Sequence, residues 1–263
     1  MGIRIGVFGA GGRMGIAVCN AVAEAAELDL VAAVDPALAG ASLHEIAGVA
    51  DTALVISASG ASFVEAGVEV AIDFTHIDAA RANLALCADA GIHAVVGTSG
   101  FTEKDHAEIA TMFSASNCLI APNFAIGAVL MMRFAEMAAP FFDTAEIIEL
   151  HHDGKVDAPS GTAIATAERM AAASGEWAPD PVTTETIPGA RGSVGPADIR
   201  VHSVRMRGMV AHQEVLLGTT GQTLLLRHDS YDRSSFMPGV VLAAQRIGSV
   251  PGLTIGLDGV LDL

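Results

Sequence analysis

The opening of the chain constrains its fold more than any other stretch. Ile3-Arg4-Ile5-Gly6-Val7-Phe8 is a short run rich in apolar and β-branched residues, the pattern of a buried parallel strand. Gly9-Ala10-Gly11-Gly12-Arg13-Met14-Gly15 follows at once, and then a helical run from Ile16 to about Ala26. Gly9, Gly12 and Gly15 are spaced G-x-x-G-x-x-G, a variant of the dinucleotide fingerprint. Glycine in such a turn lets the backbone approach a pyrophosphate, and the N–H groups of the helix start face its charge. A second strand, Leu28 to Val34, ends in Asp35, twenty positions beyond Gly15. A carboxylate there accepts hydrogen bonds from an adenosine ribose. The alternative is an ordinary strand–turn–helix with Asp35 as a strand-end residue; the flanking elements favour the nucleotide.

Strand and helix patterns then alternate, as in an open parallel α/β sheet. Ala53 to Ser57, Val68 to Phe74, His93 to Val96 and Cys118 to Ala121 read as strands; Ile77 to Ala90 and Thr102 to Ser114 read as helices. Ligands in such sheets bind outside the carboxyl ends of the strands. Those ends are the glycine turn, Asp35, Asp73 to Thr75, Gly97-Thr98-Ser99 and Ala121-Pro122-Asn123-Phe124. Ala125 to Phe142 is a long Met- and Phe-rich helical run, read as core.

Titratable groups concentrate in one later segment, Glu149 to Ala163, which reads E-L-H-H-D-G-K-V-D-A-P-S-G-T-A. A strand-like run, Thr144 to Leu150, leads in, and an alanine-rich helical run, Ala163 to Ala173, leads out. Neighbouring strand residues point to opposite faces, so His151 and His152 share a site only if the strand has ended; Asp153-Gly154 signals that it has. Ser160 is a good N-cap, Gly161 permits close approach, and the free N–H groups of the helix start suit an anion. No H-x-x-x-H or C-x-x-C spacing accompanies the histidines, so no metal is expected.

The string E-L-H-H-x-x-K-x-D-A-P-S-G-T-A resembles the signature of the dihydrodipicolinate reductase family, and the other landmarks fall in that family's order. Gly97 to Gly100 and Ala121 to Gly127 resemble its G-T-T-G and A-x-N-F-x-x-G segments, which line the nicotinamide half of the cofactor site; Ser99 stands where threonine is usual. The resemblance implies NADH- or NADPH-dependent reduction of 4-hydroxy-tetrahydrodipicolinate, a cyclic imine with two carboxylates, in the diaminopimelate route to lysine. It implies a homotetramer assembled through the second domain's sheets. Hydride addition to an electron-poor ring leaves negative charge, so His151 reads as the catalytic general acid and Lys155 as a second catalytic residue that supplies positive charge or itself donates, with His152, Gly161 and Thr162 on the substrate. Gly9, Ala10, Gly11, Gly12, Arg13, Met14 and Asp35 take the rest of the cofactor. Pro36 and Ala37 supply no cation beside Asp35, and Arg13 is the nearest one, so NADH is expected to serve at least as well as NADPH. Asp153 and Asp157 either orient the cationic groups or are solvated loop acids. A related dehydrogenase acting on an amino acid such as aspartate, and a non-catalytic dinucleotide sensor, are the rival readings.

Beyond this segment, Ser174 to Pro196 reads as a long loop carrying Arg191, which reaches a substrate carboxylate, a neighbouring subunit or solvent. Three extended runs follow, Asp198 to Arg207, Val210 to Leu217 and Gln222 to Ser230. Gly208-Met209 and Gly218 to Gly221 separate them as hairpin turns, giving an antiparallel set that joins the strand at 144–150. His212 reads as a hydrogen-bonded core or interface histidine. Ser235 to Ile247 is helical, and the family resemblance returns the tail, Gly252 to Leu261, to the cofactor domain. The expected fold is an α/β Rossmann-type nucleotide-binding domain (residues 1–124 and 232–263). A second, α+β domain (residues 125–231) is built on a mostly antiparallel sheet and serves substrate binding and oligomerisation.

Composition narrows the partners. The net charge of −16 leaves no basic face for nucleic acid, although an anionic ligand needs only local positive groups. No apolar run approaches membrane-spanning length, and the start of the chain has no signal-peptide pattern. Cys19, Cys87 and Cys118 are odd in number and widely spaced, and read as small buried hydrophobes in a reducing, cytoplasmic compartment.

Overall fold

The computed structural model describes residues 2–50 and 52–262. The chain begins β1 (Ile3–Phe8), α1 (Arg13–Glu24), β2 (Leu28–Val34), α2 (Leu43–Ala47), α3 (Ala61–Glu65), β3 (Val70–Asp73) and α4 (Ile77–Ala90). It continues with β4 (His93–Val96), α5 (Glu103–Met112), β5 (Cys118–Ile120), α6 (Ile126–Ala138), β6 (Thr144–His151), α7 (Gly161–Ala173) and β7 (Ser193–Val194). It ends with β8 (Arg200–Arg205), β9 (Ala211–Thr219), β10 (Gln222–Ser230), α8 (Met237–Arg246), β11 (Leu253–Ile255) and α9 (Asp258–Leu261). Two compact units result, one of Met1–Ile126 with Arg233–Leu263 and one of Gly127–Asp232.

The first unit is a six-stranded sheet in the order β11-β5-β4-β3-β1-β2, and every neighbouring pair is parallel. Its central strands bury both faces: Ile5, Val7, Ile72, Val95 and Val96 are fully enclosed, which is why they read as unbroken apolar runs. The order reverses at β1, because the chain goes out to β2 and returns on the other side as β3. The crevice at that reversal, beyond the carboxyl ends, is where such sheets bind ligands. The run 53–57, expected as a strand, makes only isolated bridges, Val34 to Ser57 and Ser42 to Val55. It lies beyond the β2 edge with Val55 exposed and only Ile56 turned fully inward, so little apolar burial rewards a longer ladder. Cys19, Cys87 and Cys118 are free and buried, and burial pushes the Cys19 and Cys87 thiols up to about 12. Among the described residues no helix is long and apolar enough to cross a membrane.

The second unit is a five-stranded mixed sheet in the order β10-β9-β6-β8-β7. β10–β9, β9–β6 and β8–β7 are antiparallel, but β6 and β8 are parallel. This corrects the sequence expectation that the run at 198–207 forms a hairpin with the next strand through Gly208-Met209. β6 lies between β8 and β9, so no hairpin forms there. The reason is α7: the helix crosses back over the sheet and, with the segment that carries the short β7, returns the chain to the start of β6, so β8 enters the sheet running the same way as β6. α7 packs closely because Ala163 and Ala167, one turn apart, face Ile147, Val201, Val215 and Leu217 with Met170 beside them. α6 adds Met131 and Ala135 to the same core. The opposite face of the sheet leaves Leu216 and Leu225 exposed.

Candidate functional site

In the first unit the glycine turn has the geometry its spacing implies. Gly9 sits at φ +71°, the left-handed region that favours glycine. A Cβ on Gly15 would lie 1.9 Å from the Gly9 carbonyl oxygen, so only glycine lets α1 start against the turn. α1 has no side-chain cap and no acid in its first turn, which leaves its N–H groups to an outside anion. Arg13 is exposed on that first turn. Asp35 ends β2 half-buried, accepting hydrogen bonds from Gly11 N (3.1 Å) and Ala37 N (3.1 Å). Its carboxylate is therefore held rigidly next to the turn with lone pairs to spare for ribose hydroxyls. An adenine dinucleotide fits this donor and acceptor set.

The other strand ends gather along the same carboxyl edge. Asp73, almost fully buried, closes β3 and accepts from Thr75 N (2.8 Å), Thr75 Oγ1 (2.7 Å), Asn83 Nδ2 (2.7 Å) and Thr98 Oγ1 (3.2 Å). One carboxylate thus ties the loops after β3 and β4 to α4. Gly97 lies against the Phe74 ring, where a Cβ would sit 2.0 Å from the ring. Phe74 in turn meets Phe124 at 5.6 Å between ring centroids. Thr98 is buried, Ser99 exposed and Asn123 half-buried, its Oδ1 accepting from Ala125 N at 2.9 Å. Gly97, Thr98, Ser99, Ala121, Pro122, Asn123 and Phe124 form the edge against which a flat ring would lie. The sequence places Asp73 to Thr75 among the strand ends, and the structure makes Asp73 the carboxylate that joins the loops there.

The second unit builds its site around a residue not singled out in the sequence. β6 ends at His151, and His152 lies beyond it, followed by the Asp153-Gly154 turn. Glu149 stands two residues before His151 on the same inward face and is completely buried. Its carboxylate accepts from Arg205 Nη1 (2.9 Å) and Nη2 (2.8 Å), from Ser160 N (3.2 Å) and from His151 Nδ1 (2.5 Å). Burial acts to raise the Glu149 pKa, but the Arg205, Ser203 and His151 hydrogen bonds outweigh it and hold the carboxyl below its ordinary value. Burial lowers the His151 pKa; Glu149 opposes that shift, and Lys155 and Arg205 reinforce it.

Lys155 is held by Asp157, its Nζ 2.8 and 2.7 Å from the two carboxylate oxygens. Asp157 therefore orients the cation, whereas Asp153 pairs with Arg207 at the surface. Lys155 N also closes the turn onto His152 O (3.1 Å). Ser160 caps α7, its hydroxyl accepting from Ala163 N (3.2 Å), so Gly161 and Thr162 are the first two residues of the helix. A Cβ on Gly161 would meet nothing within 4 Å, so open space lies before the helix start. His151, Lys155 and the α7 start thus share one short loop. It is a compact source of protons and positive charge, and it is suited to a carboxylate ligand.

Two residues that the sequence left open have other partners. Arg191 bridges Glu146 (2.7 Å) and Asp180 (3.3 Å), fastening the long segment before β7 to the sheet. His212 is buried and hydrogen-bonded through Nδ1 to Asp229 Oδ1 (2.7 Å). A hollow of about 670 Å³ lies over the outward face of the sheet, lined by Glu146, Ile148, Trp177, Arg191, Leu216 and Leu225. Strand alternation puts Glu146 and Ile148 opposite to Glu149 and His151, so this hollow is separate from the histidine site.

Comparison with known proteins bears on this geometry. The family descriptions "Dihydrodipicolinate reductase, N-terminus" and "Dihydrodipicolinate reductase, C-terminus" match residues 3–124 and 127–261. The chain is 51% identical over 270 residues to a 4-hydroxy-tetrahydrodipicolinate reductase of Nocardia farcinica, covering all of both chains. It is 50% identical over 265 residues to one of Mycobacterium marinum, covering 99% of this chain and all of that one. A solved structure, a dipicolinate-bound dihydrodipicolinate reductase from Paenisporosarcina sp. TG-14, superposes with a TM-score of 0.87. It is 38% identical, with 98% of this chain and 99% of that chain covered.

Proposed function

The chain belongs to the dihydrodipicolinate reductase family, and from that premise we infer its function. It reduces 4-hydroxy-tetrahydrodipicolinate to tetrahydrodipicolinate in the diaminopimelate route to lysine, using a pyridine nucleotide. The conversion takes up one hydride and one proton and releases the ring hydroxyl as water. The reduced nicotinamide, when bound, supplies the hydride. The chain's own residues bind both molecules and handle the proton. The observation that carries this reading is the segment from the end of β6 to the start of α7, which carries His151 and Lys155 and whose buried Glu149 is hydrogen-bonded to both His151 Nδ1 and Ser160 N.

Within that function we assign roles residue by residue. Gly9, Ala10, Gly11, Gly12, Arg13 and Met14 surround the pyrophosphate, and Asp35 receives the adenosine ribose. Gly97, Thr98, Ser99, Ala121, Pro122, Asn123 and Phe124 take the nicotinamide half. Gly161 N–H and the Thr162 N–H or hydroxyl bind a substrate carboxylate, and His152 contacts the ring. Lys155 supplies positive charge where negative charge develops. His151 delivers the proton. NADH serves at least as well as NADPH, because the Asp35 carboxylate repels a 2′-phosphate. Residues 1–124 with 232–263 bind the cofactor, and 125–231 bind the substrate. The enzyme works in the cytoplasm as a homotetramer joined through the second domain's sheet, whose outward face carries exposed Leu216 and Leu225.

The test is consumption of NADH by purified protein given freshly prepared pathway substrate. Substrate-dependent oxidation is expected. Turnover of L-aspartate with NAD⁺ in its place, or nucleotide binding with no turnover, would overturn the assignment.

A further inference from the structure

We infer that Glu149 and Arg205 are positioning residues for His151: they hold its ring with a proton on Nδ1 and leave Nε2 as the atom that exchanges a proton with substrate. This rests on the reading of His151 as the proton donor. Glu149 has no solvent contact, so its lone pairs must be met by protein, and Arg205, Ser160 N and His151 Nδ1 meet them. A carboxylate paired with a guanidinium fork stays ionised and can only accept. The hydrogen on the 2.5 Å contact therefore belongs to His151 Nδ1.

A neutral imidazole carries one N–H. With that hydrogen on Nδ1, Nε2 of neutral His151 presents a lone pair and has nothing to donate. His151 must first take up a proton and become imidazolium, and Glu149 supports that cation from the Nδ1 side. The charged groups around the ring are Glu149 on its own strand, Arg205 on β8, and Lys155 and Asp157 in the loop. The neighbouring β9 residue is Ala211, and α7 offers the Ser160 cap. Arg205 does a second task. Its Nη2 also donates to the Asp157 carbonyl at 2.6 Å, so the arginine that seats Glu149 also pins the backbone of the residue that holds Lys155. β8 brings it there because parallel pairing sets Arg205 directly beside His151.

Two measurements test this. In ¹⁵N-histidine-labelled wild-type protein, long-range ¹H–¹⁵N spectra at about pH 8 report the tautomer of each ring, with His151→Gln identifying the signal. A protonated Nδ1 and a bare Nε2 are expected; an Nε2–H ring overturns the inference. The second is kcat against pH for Glu149→Gln, which keeps the shape of the side chain and removes its charge. The imidazolium loses support, so the alkaline fall in kcat moves to lower pH. The deficit should be about tenfold near pH 8 and shrink to less than about threefold near pH 5. A deficit equal at every pH, or none, overturns the positioning role. Wild-type turnover of pathway substrate is measured alongside. Its absence would bring down the functional reading, while the spectrum would still decide the tautomer.

Discussion

Arg205 meets Glu149 fork to fork: Nη1 and Nη2 lie 2.9 and 2.8 Å from the two oxygens of a carboxylate that has no solvent contact. Removing one partner of such a pair leaves a buried charge without compensation, at a cost of about 3–5 kcal/mol. Arg205→Met should therefore lower stability by about 3 kcal/mol or more in denaturant titrations of the second unit's unfolding. Arg205→Lys keeps a cation but not the fork, and should lose less. An Arg205→Met protein as stable as the wild type would show that Glu149 is not held as an ion.

The loop chemistry predicts a pattern across three substitutions. His151→Gln and Lys155→Ala should each cut kcat by roughly 10²-fold, the usual scale for a lost proton donor or charge. The double variant should lose less than the product of the two, because the groups act together. Thr162→Val should raise the substrate KM more than it lowers kcat, since a carboxylate contact exists in ground and transition states alike. NADH affinity, measured by fluorescence titration, should stay within about twofold in all of them. Near-normal kcat in a folded His151→Gln protein would leave the segment a binding loop only.

Cofactor preference should turn on Asp35. Its carboxylate is anchored by Gly11 N and Ala37 N and cannot swing away from a 2′-phosphate. For the wild type, kcat/KM with NADPH should not exceed that with NADH by more than about tenfold, a gap of about 1.4 kcal/mol. Asp35→Ser should move the ratio toward NADPH. A wild-type preference for NADPH beyond that bound would mean that Arg13 outweighs Asp35.

Acid should destabilise the fold before any carboxylate is protonated. Burial lowers the pKa of His93, His151 and His228. The unfolded chain therefore binds more protons than the folded one as pH falls below the ordinary histidine value of about 6.5. Stability is greatest above that value and declines through the window down to the lower folded pKa values. The melting temperature should fall between about pH 7.5 and pH 5.5. Glu146, Glu149 and Asp157, all held below their ordinary range, add losses only at lower pH. A melting temperature that rises on acidification would contradict the sign.

Assembly can be probed on the outward sheet face. Light scattering at micromolar concentration should give the mass of four chains. Leu225→Arg, which charges an exposed apolar position on that face, should shift the mass downward while leaving the far-ultraviolet circular dichroism unchanged. A monomeric wild type would refute the tetramer.

What the chain determines by itself is local. The strand–glycine turn–helix at its start follows from apolar runs and from glycines that no other residue can replace, Gly15 above all. The positions at the carboxyl edge were legible because a parallel strand announces its end with a polar or glycine residue. The loop after β6 was legible because caps, turns and the spacing of His151, Lys155 and Ser160 are all set within a few bonds of one another. Direction and partnership of strands were not. The run at 198–207 carries the same alternation whether it pairs parallel or antiparallel, and Gly208 suits either route. Only the packing of α7 across the sheet decided for the parallel arrangement, and that placed Arg205 beside His151 and in contact with the Glu149 carboxylate. A buried ion pair joins residues far apart in the chain, so its signal exists only after the core has formed. The tertiary structure therefore decided how the histidine is held, while the local sequence had already decided where it is.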